Sequence, residues 1–256
     1  MAESSIVVAA AGESSRMMRS MQEAGMPAGP KHLLPAFADS DVTLLGSNLA
    51  SALGSDLHVV LHVNQQNHNV IVSHPDVRRF LTDVEVAVQP DIRPLGPFSF
   101  MTDPVLHGTE GDTHFSIAGD VFLEDFNWAD FIASHESAAG TSMSLLAGVV
   151  DAPAQSAIFG VRPDGSNIIT GFQRYDTPRR NVLRNVGVYA VRVTPELTEP
   201  VTRYLDAGEH EQSDPLFREL AEAGLARVIE HRGYFKNMNT LADYQEHLDR
   251  DLEAAS

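Results

Sequence analysis

Apolar residues in the first half of the chain gather in short runs at 6–11, 57–63, 84–88 and 115–118, each closed by turn-forming residues. Between them the spacing turns helical. Leu44, Leu45, Leu49 and Leu53 share one face and predict a helix over 44–53, and a shorter helix is expected over 75–81. Strands alternating with helices predict an α/β fold on a largely parallel sheet. In the second half, runs at 145–150, 157–161, 167–172 and 186–193 follow one another closely, so further strands are expected, some of them antiparallel. Helical spacing returns over 195–206 and 215–223, with a last strand at 227–229 and a polar terminal helix over 241–253. Loops are expected at 13–29, 90–98, 151–156 and 173–181, and loops this long in a compact α/β domain are more often functional than idle.

With 256 residues, 43% of them hydrophobic, the chain can bury a substantial core as one domain over 1–256. Within it the sequence is read as a first half over about 1–120, a second half over about 121–240 and the terminal helix over 241–256. The absence of cysteine excludes disulfides, thiolate metal sites and cysteine nucleophiles, and fits a cytoplasmic location. A net charge of −17 repels nucleic acid and anionic membranes but is silent about other partners, and the sequence leaves a homo-oligomer open. The apolar run at 6–11 is too short for a signal-peptide core or a membrane span. The only lysines are Lys31 and Lys236, which makes each conspicuous.

The strongest chemical signal is Ile6-Val-Val-Ala-Ala-Ala-Gly-Glu-Ser-Ser-Arg16, followed by Gly29-Pro-Lys-His-Leu-Leu-Pro35. A buried strand opens into a turn of small residues, where backbone N–H groups can approach a phosphate, and Arg16 and Lys31 supply positive charge. The pattern is neither a Walker loop nor Gly-x-Gly-x-x-Gly.

Together these two pieces resemble the nucleotidylyltransferase family that makes activated sugars, with its small-residue loop, Arg and Pro-Lys-x-Leu-x-Pro. Further pieces follow in order: Gln89-Pro-Asp-Ile-Arg-Pro-Leu-Gly96, Ile117-Ala-Gly-Asp120, Gly171, Asn185-Val-Gly-Val-Tyr189 and Tyr234-Phe-Lys-Asn-Met-Asn-Thr240. The resemblance implies a Rossmann-like three-layer α/β fold with a mixed, mainly parallel central sheet. It implies transfer of a nucleoside monophosphate from a nucleoside triphosphate to a sugar 1-phosphate, releasing pyrophosphate, with Mg2+ as cofactor. Ala10, Ala11, Gly12, Glu13, Ser14 and Ser15 would then hold the triphosphate, and Gln89 and Gly96 the base. Arg16 would hold the leaving pyrophosphate, Lys31 would bridge the α-phosphate and the incoming phosphate, and Asp120 would hold the metal with Asn237 or Asn239. The acceptor would meet Gly171, Arg174, Asn185 and Gly187.

Two departures stand out. The family's second metal ligand is Asp or Asn, and both candidates here are neutral amides. Where many members carry Glu-Lys-Pro this chain has Phe172-Gln-Arg-Tyr175, and Arg174 for Lys is not a neutral exchange. Two rival readings follow: cytidylyl transfer to a non-sugar phosphate, since Ala-Ala-Gly with Ser-Ser-Arg-Met also resembles cytidylyl and molybdopterin-type relatives, and a non-catalytic nucleotide-sensing subunit. A glycosyltransferase would carry Asp-x-Asp after a strand, which Gly119-Asp-Val-Phe does not supply. Met17, Met18, Met21 and Met26 are read as packing rather than a lid, and His58 and His62 as strand residues rather than metal ligands.

Overall fold

The structure, a computed structural model, describes residues 4–12, 14–26, 29–89, 108–138, 140–152, 157–162, 165–206 and 214–255. The chain is an α/β protein built on a mixed, mainly parallel central sheet. It divides into two compact units, one formed by Ile6–Arg93, Ile117–Glu124 and Phe235–Ser256, the other by Met1–Ser5, Pro94–Ser116 and Asp125–Tyr234. Among the described residues no helix is long and apolar enough to cross a membrane.

The first unit holds most of β1 (Ser4–Ala10), all of β2 (His58–Asn64) and β3 (Glu85–Gln89), and the end of β4 (Thr113–Ala118). The strand order is β4–β1–β2–β3, and β2 runs parallel to β3 with Asn64 opposite Gln89. Ile6, Val8 and Ala10 alternate into the core, where they are completely buried, as are Leu45, Leu49 and Ala52 of α2 (Leu44–Leu53). That helix starts where the sequence predicts because Thr43 caps it, accepting a hydrogen bond from the Gly46 N–H at 2.9 Å. Asp76, at the start of α4 (Pro75–Arg78), accepts from both the N–H and the hydroxyl of Thr43 at 2.7 Å. Its carboxylate lies so close that a Cβ on Gly46 would stand 1.9 Å from Oδ2.

Four elements of this unit were not expected. The segment expected as the loop 13–29 contains α1 (Ser15–Glu23), a helix that buries Met17 and Met21, one turn apart, while Met26 stays exposed. A short α3 (His68–Ser73) precedes α4. Two three-residue strands, β5 (Val121–Leu123) and β11 (Phe235–Asn237), pair antiparallel with Val121 opposite Asn237. The C-terminal α8 (Leu241–Ala255) begins at Thr240, whose N–H and hydroxyl both donate to Asp243 at 2.8 Å. It is fastened by His247 donating to the Ala36 carbonyl at 2.7 Å and by Arg250 pairing with Glu124 at 2.6 Å.

In the second unit β6 (Met143–Ala152) lies between β10 (Ala226–His231), to which it is parallel, and β9 (Arg179–Arg192), to which it is antiparallel. β7 (Ala157–Val161) and β8 (Ile169–Arg174) pair with each other, and β7 pairs with β9. β9 begins well before the expected 186, so the expected loop 173–181 shrinks to the turn between Arg174 and Arg179. α5 (Trp128–Glu136) packs Phe131 edge-on against Phe115. Beyond α6 (Pro195–Asp206), α7 (Asp214–Glu222) sets Phe217 among Phe159, Phe172 and Tyr189, with centroids 5.5–6.3 Å away.

Candidate active site

β1 ends at buried Ala10, and its continuation is held from the side. Asn64, at the end of β2, donates to the Ala11 carbonyl at 2.8 Å and accepts from the Asn67 N–H at 2.7 Å. After exposed Gly12, Ser14 adopts a left-handed conformation with φ 56°, which costs a non-glycine residue about 1–2 kcal/mol and so needs support. The support is visible. Ser14 is buried, and its hydroxyl accepts from the Lys31 N–H at 3.2 Å instead of capping α1. The N-terminus of α1 therefore has no side-chain cap from Ser14, the condition under which helix N–H groups can meet an anion.

Lys31 opens a single 3-10 turn, Lys31–Leu33, and its ammonium pairs with the Asp120 carboxylate; both side chains are about 15% exposed, at 15% and 14%. Asp120 sits in the tight turn between β4 and β5. The Gly119 N–H donates to the Ala9 carbonyl at 2.8 Å, and a Cβ on Gly119 would fall 3.0 Å from that oxygen. Asn48, inside the otherwise apolar face of α2, donates to the carbonyls of Ala118 at 3.3 Å and Val121 at 2.9 Å, bracketing the turn. The Asp120 carbonyl accepts from the Met238 N–H at 3.0 Å, which ties the turn to the residue following β11.

Burial alone would raise the Asp120 pKa, but the charge of Lys31, then His32, and the hydrogen bond from Lys31 outweigh it and hold the carboxyl below its ordinary value. His32, packed beside them and 2% exposed, is pushed down to about 4 by burial, with Asp120 opposing and Lys31 reinforcing.

Arg16, exposed on α1, donates to Asn239 Oδ1 at 3.4 Å. Asn239 also donates through Nδ2 to the Asn237 carbonyl at 3.4 Å. Asn237 differs, because its Oδ1 is buried without a hydrogen-bond partner. Among the described residues no three His, Asp or Glu side chains gather to hold a metal ion. One carboxylate and one unpaired amide oxygen nonetheless fit a magnesium ion, which takes few protein ligands and completes its shell with phosphate oxygens and water.

Arg16, Lys31, Asp120, Asn237 and Asn239 thus belong to one unit, as do Ala10, Ala11, Gly12, Ser14, Ser15 and Gln89. Gln89 is buried at the end of β3, opposite Asn64. Glu13 and Gly96 lie outside the described residues.

Gly171, Arg174, Asn185 and Gly187 belong to the other unit. Gly171 faces Gly160 across the β7–β8 pair, and the exposed Arg174 guanidinium lies 5.9 Å from the Phe172 ring. Asn185 accepts from the Gly187 N–H at 2.9 Å and donates to the Tyr189 hydroxyl at 2.6 Å. Gly187 has φ +96°, open to glycine, beside the irregularity where β9 slips against β6.

Sequence reasoning missed His32, Asn48 and Asn64. The available signal was a polar side chain within or closing an apolar run, as at Asn48 and Asn64.

No family model matches the chain, and no curated protein matches it significantly in sequence. Solved structures do match in fold. One is described as a glucose-1-phosphate thymidylyltransferase from Bacillus anthracis in complex with sucrose; it is 13% identical with a TM-score of 0.69, over 98% of this chain and 95% of that one. Another is HddC from Yersinia pseudotuberculosis, 14% identical with a TM-score of 0.64, over 98% of this chain and 99% of that one. At such identities the likeness establishes the fold.

Proposed function

We propose that the protein is a magnesium-dependent nucleotidylyltransferase that joins a nucleoside monophosphate from a nucleoside triphosphate to a sugar 1-phosphate. The observation that carries this reading is the Lys31–Asp120 ion pair at the strand-end turn, beside a small-residue loop whose following helix lacks a side-chain cap. The fold shared with a protein described as a thymidylyltransferase agrees with it.

An acceptor phosphate oxygen attacks the α-phosphorus, the new P–O bond forms as the bond to the β-phosphate oxygen breaks, and pyrophosphate departs. The work left to the protein is positioning and charge neutralisation. Backbone N–H groups from Gly12 to Ser15 cradle the triphosphate, and Arg16 holds the departing pyrophosphate. Lys31 turns from Asp120 to bridge the two reacting phosphates. Asp120 and Asn237 would hold the magnesium ion, which supplies Lewis-acid neutralisation of the phosphate oxygens. Asn237 is assigned over Asn239 because its oxygen is the one without a partner. Gln89 reads the base, and Gly171 and Arg174 meet the acceptor.

One observation favours a second reading, cytidylyl transfer to a non-sugar phosphate. The Asn185 amide is engaged within its own strand by Gly187 and Tyr189, so it is less available to sugar hydroxyls. Pyrophosphate release from a matrix of nucleoside triphosphates against sugar 1-phosphates and non-sugar phosphates, with and without magnesium, tests both. Release requiring triphosphate, acceptor and metal is expected; no release from any pair, with no thermal shift from any triphosphate, would remove the nucleotide assignment.

A further inference from the structure

His32 has no part in the mechanism above, yet it is the most enclosed polar side chain at the site, 2% exposed. Its ring lies beside Gly12 and Gly119 of the first unit. A Cβ on Gly119 would lie 3.4 Å from Cδ2, and a Cβ on Gly12 would lie 4.0 Å from Nε2. Its Nδ1 is buried without a hydrogen-bond partner. Buried N–H groups are left unpaired more rarely than acceptors, so the lone pair belongs on Nδ1 and the proton on Nε2, the atom that faces Gly12. Gly12 is exposed and has no side chain to stand between the ring and whatever rests on the loop.

We propose that His32 Nε2–H donates a hydrogen bond to a phosphate oxygen of a nucleoside triphosphate seated on the loop at Gly12. The inference rests on the nucleotidyl-transfer reading. One 3-10 turn then delivers two different things: Lys31 a mobile charge, His32 a fixed, directional donor. The donor exists whether the ring carries one proton or two.

The test uses the whole protein with magnesium, titrated with inorganic pyrophosphate and with each common ribonucleoside triphosphate and dTTP. His32→Leu is expected to weaken both at least about tenfold, the scale of one hydrogen bond to a charged group. His32→Gln, which restores an N–H at similar reach, should recover to within about threefold, with the acceptor KM unchanged in both. Equal losses in the two variants, or none in His32→Leu, would overturn the assignment.

Should His32→Leu fail to fold, the wild-type protein labelled with 15N-histidine decides. The His32 Nε2–H resonance should move downfield on adding pyrophosphate, and an unmoved resonance with pyrophosphate bound overturns the inference alone. A wild-type protein that binds neither pyrophosphate nor any triphosphate overturns the nucleotidyl-transfer reading, and this inference with it.

Discussion

At the scale of single residues, the charges at the site answer one another. Asp120 is largely withdrawn from water and stays ionised because Lys31 faces it, so removing the lysine strands a carboxylate. Lys31→Met is therefore expected to lower thermal stability and to reduce pyrophosphate release by about 100-fold or more. Adding Asp120→Asn should restore most of the stability and none of the activity, since two neutral side chains leave no unpaired charge. A double-mutant cycle read by melting temperature and turnover checks this. Recovery of both together would mean that the pair serves the fold alone.

Arg16, Lys31 and Asp120 were legible in the sequence because each ends or follows a recognisable run. Their supports were not. Asn48 reaches the Asp120 turn across 70 and 73 residues of chain, and Asn64 reaches Ala11 across 53, distances that no local pattern encodes.

At the scale of elements, the strand ends place the candidate site. Gly119→Ala would place a Cβ 3.0 Å from the Ala9 carbonyl oxygen, a backbone atom of β1 rather than the end of a flexible side chain. A loss of about 1–3 kcal/mol is expected, together with loss of activity, because the displaced segment carries Asp120. Denaturant titration checks the first and the pyrophosphate assay the second; a Gly119→Ala protein of wild-type stability would show that the turn can relax. Asn48→Ala removes two hydrogen bonds to the same turn, one of them buried, and should cost about 1–3 kcal/mol.

Most strands were legible because their apolar runs are short and cleanly bounded. α1 was not, since a helix burying two methionines inside a polar, small-residue stretch offers little periodicity. β5 and β11 were not, because three residues each cannot show an alternation that only their pairing reveals.

At the scale of the whole molecule, stability should depend on pH through buried histidine. His135 is completely buried, hydrogen-bonded through Nδ1 to the Ser144 hydroxyl at 2.8 Å, and pushed down to about 4 by burial, then by Arg192 and Arg227. Above pH 6.5 it is neutral in the folded and the unfolded chain alike. As the pH falls from there towards 4, the unfolded chain takes up a proton that the folded chain refuses, so stability drops. Melting temperature should therefore decline across that interval, and less steeply in His135→Gln. Parallel slopes in the two proteins would remove His135 as a source.

The unit that holds the Lys31–Asp120 pair is drawn from three separated stretches of chain, the last beginning at Phe235. During synthesis on the ribosome its first stretch emerges early but has neither β11 nor α8 to close on until some 140 further residues have been made. Its assembly therefore belongs among the late, non-local events of folding, which are slow because a long loop must close before any contact rewards it. A fragment cut after the Asp120 turn would carry Arg16, Lys31 and Asp120 and still lack the strand and helix that complete the unit, so this unit is not expected to be separable as an independently folding piece.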